Sequence, residues 1–183
     1  TLELVMPRFI LSQFNKHASI RSCAQSSRAI PFSKLRALAT FEPKAWRANQ
    51  AGMQPGKELL LDLQANATAQ WQYARMVCLE QAEKLFVGGV HKQWFNRLLE
   101  PFSFVKVVAT ATEWDLFFRL RLAHDAQDEM QELAQAMKAA MEASTPRALL
   151  LDQWHLPYHR PDEDTDVHPD WLPRVCAARC ART

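Results

Sequence analysis

Hydrophobic positions near the N-terminus fall on every second residue. Leu2, Leu4 and Met6 alternate with other side chains, which is the period of a β-strand, and Pro7 would end that strand. The run FSFVKVVATAT at 102–112 is rich in β-branched and aromatic residues and predicts a second strand.

Longer stretches carry apolar residues at spacings of three and four, which predicts helices. The longest such stretch runs from Lys57 to Val87 and stops at Gly88-Gly89, because glycine favours helix C-termini. A second helix is predicted from Val90 to Leu99, closed by Pro101. A third is predicted from about Asp125 to Ala143, with methionines in its apolar stripe.

The stretch TEWD at 112–115 has the form of a capping box and predicts a helix start. Residues 144–171 contain four prolines and an acidic run, which predicts a loop. The final LPRVCAARCART is interpreted as the beginning of a further element. The predicted order is strand, loop, helices, strand and helix. Because this order lacks the regular alternation of a doubly wound sheet, we predict a helix-rich α+β fold.

Composition is that of a globular protein, with 48% hydrophobic and 23% charged residues among 183. We predict one domain over residues 1–160, followed by an acidic linker and an incomplete C-terminal segment over 161–183. No apolar run is long enough to span a membrane and no secretion signal opens the chain, so the cytoplasm is the expected location. Because the chain begins at Thr1 rather than Met, we expect a fragment.

The four cysteines are too few for a disulfide scaffold in a chain of this length. They are Cys23, Cys78, Cys176 and Cys180. They also lack the compact Cys-x-x-Cys spacing of structural zinc sites. We therefore predict packing thiols and no metal site; the alternative would recruit histidines from the C-terminal loop.

Charge is distributed unevenly. No acidic residue lies between Glu3 and Glu42, although six of the 22 basic residues do. The rest of the chain contains 16 basic and 20 acidic residues. A cationic zone on an acidic body indicates an anionic ligand, and a solvated basic face is the alternative.

The stretch QSSR at 25–28 lies in this zone and suits a phosphate. An arginine fork, hydroxyl groups and backbone N–H groups can surround phosphate oxygens. Arg97 and Arg121 are further candidates, although Arg97 could extend from a buried face and Arg121 could stabilise a helix end. Nucleic acid is disfavoured, because no stacking platform or known RNA- or DNA-binding motif is present.

Several segments in order resemble the flavin-dependent thymidylate synthases (the ThyX family), in the longer form found in phages and some bacteria. They are MPRFILSQFNKHASIRSCAQSSRAIP, NQAGMQ, GVHKQWFNRLLEPF, ATEWDLFFRLR…DAQ and ASTPR…WHLPY. The resemblance covers nearly the whole chain. It implies a helix-rich domain in which a small, mostly antiparallel sheet packs against long helices.

The resemblance also implies a reaction, in which dUMP is methylated at C5 to dTMP. Methylenetetrahydrofolate supplies the carbon, FAD supplies the hydride, and NADPH reduces the flavin. The family forms a homotetramer with shared active sites, and we expect no nucleic-acid or membrane partner. The alternatives are a uridine-nucleotide-binding homologue without flavin, or an enzyme that acts on UMP or adds a hydroxymethyl group.

The family signature R-H-R-x-x-S-x-N-E-x-S-x-R would begin at Lys16, and three of its positions match, at His17, Ser26 and Arg28. Lys16 stands at the first Arg position and keeps its charge, and the other positions that do not match are Ala18, Arg21, Cys23 and Ala24. Leu116 stands where the family often has a flavin-contacting Asn. The second flavin segment, H-x-S-P-F-E-H, is absent, which also predicts a fragment or a shortened homologue.

The resemblance assigns two sets of ligand contacts. The substrate set is Gln13, Lys16, Ala24, Gln25, Ser26, Ser27, Arg28, Arg97 and Arg121. The flavin set is Lys16, His17, Ala18 and Ala24. Arg121 would be catalytic, because it would stabilise negative charge on the uracil ring, and Arg97 would reach a phosphate in a neighbouring subunit.

Overall fold

The computed structural model describes residues 1–38 and 40–182. The strands are β1 (Leu2–Pro7), β2 (Arg21–Ala24) and β3 (Phe104–Thr110). The helices are α1 (Leu11–Phe14), α2 (Phe32–Leu35), α3 (Leu61–Val87), α4 (Lys92–Phe95), α5 (Asp115–Arg121), α6 (Asp128–Glu142) and α7 (Leu172–Ala181). Short 3-10 segments cover Arg8–Ile10, Ser27–Ala29, Asn96–Phe102 and Pro169–Trp171. The predicted α+β class is confirmed.

The three strands form an antiparallel sheet in the order β1-β3-β2. The alternation predicted for β1 is confirmed, since Leu4 and Met6 are buried and Val5 is exposed. β2 was not predicted, because four residues with two polar side chains carry no alternating signal. It becomes a strand through its pairing with β3, where Cys23 lies opposite Val108.

One face of the sheet packs against α5 and α6 to form the main core. Met130, Leu133 and Met137 of α6 are buried there, as the apolar stripe predicts. The helix begins at Asp128 rather than near Asp125. α5 begins at Asp115, after Trp114 and without a side-chain cap, so the predicted helix is present but the predicted capping box is not formed.

A second, smaller core joins α2, α3 and α4. Ile30, Phe32 and Leu35 pack there against Ala82 of α3 and Phe95 of α4, together with Leu99. The helix predicted over 90–99 is only four residues of α4, and a 3-10 segment continues through Pro101 to Phe102. This core places the chain after β2 directly against residues 96–102.

Most of α3 faces outward, although the helix itself was correctly predicted. It begins at Leu61 rather than Lys57 and ends before Gly88-Gly89, where Gly89 has the positive φ of +76° that favours glycine. Ala82 is its one buried residue, while Leu61 is 83% exposed and Val87 is 85% exposed. Within the described residues, no helix is both long and apolar enough to cross a membrane.

The C-terminal element predicted at LPRVCAARCART is α7, and it packs against β2. Arg179 of α7 donates to both carboxylate oxygens of Asp164, at 2.7 and 2.8 Å. The Asp164 carboxylate also accepts from the Arg160 backbone N–H. Cys176 is buried beneath this helix, as expected of a packing thiol.

Candidate functional site

Residues 24–28 form a loop that leaves the sheet at the end of β2, here called the 24–28 loop. Ala24 is still paired with Val107, and the Gln25 N–H donates to the Lys106 carbonyl at 2.9 Å. At the other end, Ile30 is buried in the second core. The loop is therefore anchored on both sides.

Three consecutive backbone N–H groups of this loop have no acceptor in the described part of the chain. They belong to Ser26, Ser27 and Arg28. The Arg28 side chain is exposed and has no ion pair among the described residues. Adjacent N–H groups beside a free guanidinium favour an oxyanion such as phosphate.

The 3-10 segment 96–102 lies behind the 24–28 loop and contacts it through polar side chains. The fully buried Asn96 donates from Nδ2 to the carbonyls of Ser27 and Ile30, at 2.8 and 3.0 Å. Glu100 accepts from the Ser27 hydroxyl at 2.5 Å. Because the Ser27 hydroxyl is used internally and the residue is only 4% exposed, this hydroxyl is not available to a ligand.

Arg8 contacts the same loop from the end of β1. Its Nη1 donates to the Gln25 carbonyl at 3.2 Å. Sequence reasoning assigned no role to Arg8, Asn96 or Glu100. Asn96 carried a weak signal, because it directly precedes the candidate Arg97; nothing in the sequence indicated that Arg8 and Glu100 reach this loop.

Arg97 follows Asn96 but is exposed, and it makes no contact with the 24–28 loop of its own chain among the described residues. The neighbouring side chains Trp94 and Leu98 are also exposed. Arg97 is thus presented to the outside beside apolar surface, instead of extending from a buried face.

Arg121 and His17 are brought together, although they are far apart in sequence. Arg121 is the last residue of α5, and its Nε donates to His17 Nε2 at 2.9 Å. The His17 ring lies edge-to-face against the buried Phe117, with 4.9 Å between ring centroids. The two Nη groups of Arg121 have no partner among the described residues and remain available to a ligand.

Burial lowers the pKa of His17, and the positive charge of Arg121 lowers it further. The imidazole is therefore neutral at neutral pH, and Nε2 can accept while Nδ1 carries the proton. In this state His17 fixes the direction of the Arg121 guanidinium.

Gln13 of α1 contacts Gln127, the residue that precedes α6. Gln13 Nε2 donates to Gln127 Oε1 at 2.6 Å, and Gln127 Nε2 donates to Glu129. Gln127 belongs to the DAQ stretch that contributes to the family resemblance, but no role was predicted for it.

The remaining predicted flavin contacts lie between α1 and β2 or at the end of β2. Lys16 and Ala18 are exposed on either side of His17, and Ala24 is half-buried. The predicted residues thus form two groups, one around Arg121 and one around the 24–28 loop, and no hydrogen bond joins these groups in the described chain.

Trp154 and His155 line a separate cavity of about 490 Å³ with Trp114 and Arg147.

The family model of the thymidylate synthase complementing proteins (Thy1) matches residues 1–147. The chain therefore belongs to this family, as the ordered motifs predict. A search among curated protein sequences finds no match.

Two solved structures with a similar fold are those of the UMP/dUMP methylase PolB from Streptomyces cacaoi. The structure bound with 5-Br UMP is 18% identical, has a TM-score of 0.62, and aligns over 76% of this chain and 66% of that one. The structure bound with 5-Br dUMP is 18% identical, has a TM-score of 0.59, and aligns over 76% and 64%. The present chain thus spans slightly less than two thirds of the PolB chain, and at this identity the likeness establishes the fold.

Proposed function

We propose that the chain binds a uridine nucleotide, with its phosphate on the 24–28 loop and its uracil ring near Arg121. The observation that carries this proposal is the row of three backbone N–H groups that have no acceptor among the described residues, next to Arg28, which has no ion pair among them. The similar fold of a methylase solved with bromo-substituted UMP and dUMP supports the same ligand class.

The reaction that we propose is the family reaction, methylation of dUMP at C5 to give dTMP, with methylenetetrahydrofolate as the carbon donor. A nucleophilic C5 requires negative charge to develop on the uracil carbonyls. Arg121 supplies a cation for that charge, and its bond to His17 holds the guanidinium in place before the substrate arrives. Preorganised charge of this kind stabilises a transition state without reorganisation.

FAD, reduced by NADPH, would supply the hydride in this reaction. The residues present suit the diphosphate of such a cofactor, because Lys16 and Arg21 are exposed and without ion pairs among the described residues. Ala18 and Leu116 offer no side-chain hydrogen bond to the flavin ring. Lys16 and His17 are therefore the residues of this chain that we assign to the cofactor, with Ala18 and Ala24 as apolar neighbours.

The second candidate function is uridine-nucleotide binding without flavin chemistry. It is favoured by Ala18, Cys23 and Leu116, which replace polar residues of the family. UMP in place of dUMP, and hydroxymethyl in place of methyl, belong to the same group of alternatives.

The apolar face of α3 supports the proposed homotetramer. Exposed large side chains on this helix include Leu61, Tyr73, Met76, Phe86 and Val87, and exposed apolar patches often mark protein–protein interfaces. A neighbouring subunit on this face would also bring a second chain close to α4 and to Arg97, the second residue of the 96–102 segment.

The visible absorbance spectrum of the 183-residue chain, purified and then mixed with FAD, tests the proposal first. We expect bound flavin, and formation of dTMP from dUMP, methylenetetrahydrofolate and NADPH. Binding of dUMP without flavin would instead support the second candidate. Failure to bind dUMP, UMP or FAD would refute both.

A further inference from the structure

Two of the loop N–H groups that we assign to the phosphate, those of Ser26 and Arg28, share a peptide unit with a carbonyl that accepts a hydrogen bond from inside the protein. The Gln25 carbonyl accepts from Arg8, and the Ser27 carbonyl accepts from Asn96. In a trans peptide the C=O of one residue and the N–H of the next point in opposite directions, and the described chain has no cis peptide. Holding these carbonyls inward therefore turns the N–H groups of Ser26 and Arg28 away from the protein interior.

Asn96 contributes most to this arrangement. One amide nitrogen donates to two carbonyls, of Ser27 and Ile30, and the side chain is fully buried. Its Oδ1 is buried without a partner in the described chain.

Arg8 and Glu100 complete the support. Nε and Nη2 of Arg8 are buried and have no partner among the described residues, so Nη1 makes its side-chain bond, to Gln25. Burial lowers the pKa of Arg8, and the charge of Glu100 opposes that shift. Glu100 thus both accepts from the Ser27 hydroxyl and compensates the buried cation.

We propose that Asn96 and Arg8, with Glu100, are positioning residues that preset the 24–28 loop for a nucleotide phosphate without touching it. This inference rests on the proposed function, and it names side chains that determine phosphate affinity from behind the loop. A preset loop avoids the cost of ordering three N–H groups when the ligand binds.

The test compares dUMP with 2′-deoxyuridine, which lacks the phosphate, by calorimetry on the 183-residue chain. Asn96→Ala should weaken dUMP binding about tenfold or more, because two hydrogen bonds to the loop are lost. Binding of deoxyuridine should change less than about twofold, since only the phosphate subsite is altered. Gln81→Ala, which removes an exposed amide side chain on α3, is the control and should change neither.

Amide hydrogen exchange without nucleotide tests the support directly. The N–H groups of Ala29 and Ile30 donate to the carbonyls of Ser26 and Ser27, and their exchange should accelerate in Asn96→Ala. If that variant does not fold, Arg8→Lys tests the positioning role in its place. This variant keeps the charge near Glu100 while removing the bond to Gln25. We expect it to weaken dUMP binding about fivefold, again without an effect on deoxyuridine.

The possible failures can be told apart. If the unmodified chain does not bind dUMP, the proposed function is wrong and this inference falls with it. If the unmodified chain binds dUMP but the folded variants bind it equally well, or lose affinity for dUMP and deoxyuridine to the same extent, only the positioning role is wrong.

Discussion

Arg28 differs from its neighbour Arg36 in one respect that bears on binding. Arg36 lies near a carboxylate, that of Glu83 at 3.4 Å, whereas Arg28 has no such partner among the described residues. A guanidinium that already has a carboxylate partner gains less interaction free energy when an anionic ligand binds. The two residues therefore form a matched pair within the same acid-free segment.

We predict that Arg28→Ala weakens dUMP binding by about 1.5–3 kcal/mol, the range of a hydrogen bond to a charged group, or about 10- to 150-fold. Arg36→Ala should leave the dissociation constant within about twofold. Titration calorimetry measures both. An unchanged dissociation constant for Arg28→Ala would show that the phosphate does not lie on this loop.

His17 gives a prediction about pH. Because burial and the Arg121 charge lower its pKa, the imidazole should titrate below the ordinary value of about 6.5. Its contribution to stability is complete above about pH 6.5 and is lost as the pH falls through the lower folded-state pKa. Protonation also removes the acceptor for Arg121, so uracil binding should weaken over the same interval.

NMR titration of the His17 imidazole measures this pKa. In Arg121→Gln the pKa should rise but stay below about 6.5, because burial, the larger cause, remains. A His17 pKa at or above about 6.5 would contradict the hydrogen bond with Arg121.

At the scale of elements, α7 is attached to the preceding loop by Asp164. The hydrogen bonds from Arg179 and from the Arg160 backbone lower the pKa of the Asp164 carboxyl to about 2. A carboxyl depressed in the folded state contributes stability above its unfolded pKa of about 3.9, and loses it as the pH falls toward the folded value. We therefore predict that α7 loosens between about pH 4 and pH 2.

Urea unfolding at neutral pH and at acid pH measures this effect. Asp164→Asn should lower the midpoint at neutral pH and reduce the difference between the two conditions. Asp162→Asn, at an exposed position of the same loop, is the control. Equal midpoints for Asp164→Asn and the unmodified chain at neutral pH would refute the proposed attachment.

The 96–102 segment combines two roles in adjacent residues. Asn96 faces the 24–28 loop of its own chain, and Arg97 is exposed beside Trp94 and Leu98. If Arg97 reaches a neighbouring site, as we propose, the position of one short segment sets the geometry of phosphate contacts in two subunits.

At the scale of the whole molecule, the exposed face of α3 is the feature that a single chain leaves unexplained. Tyr73 and Met76 are three residues apart and lie on the same side of the helix, and both are more than half exposed. We predict that the double variant Tyr73→Glu/Met76→Glu sediments as a monomer, because charges cannot be desolvated in an apolar interface without a large cost.

Analytical ultracentrifugation measures the assembly state of this variant, and calorimetry measures its affinity for dUMP. Loss of assembly should also weaken nucleotide binding if Arg97 comes from a second subunit. Gln81→Glu adds charge to the same helix at an exposed polar position and should alter neither. A double variant that assembles like the unmodified chain would exclude this face as the interface.

The sequence by itself determined the elements with a strong period. Alternation predicts β1, helical spacing predicts α3 and α6, and glycines end α3, because these signals depend on the chain's own geometry. The cationic 24–28 loop and the ordered family motifs could also be predicted, since charge and residue order require no coordinates. Local periodicity and the order of motifs along the chain are sufficient to predict the α+β class and the family.

Only the tertiary structure decided which groups act together. The four residues of β2 form a strand because β3 offers its free edge, and the Ser27 hydroxyl turns inward because Glu100 accepts from it. His17 meets Arg121, and Arg8 and Asn96 meet the 24–28 loop, across gaps in sequence that carry no periodic signal. Such contacts follow from how β1, β3 and the 96–102 segment are brought together in the fold, which is a property of the packed chain rather than of any stretch within it.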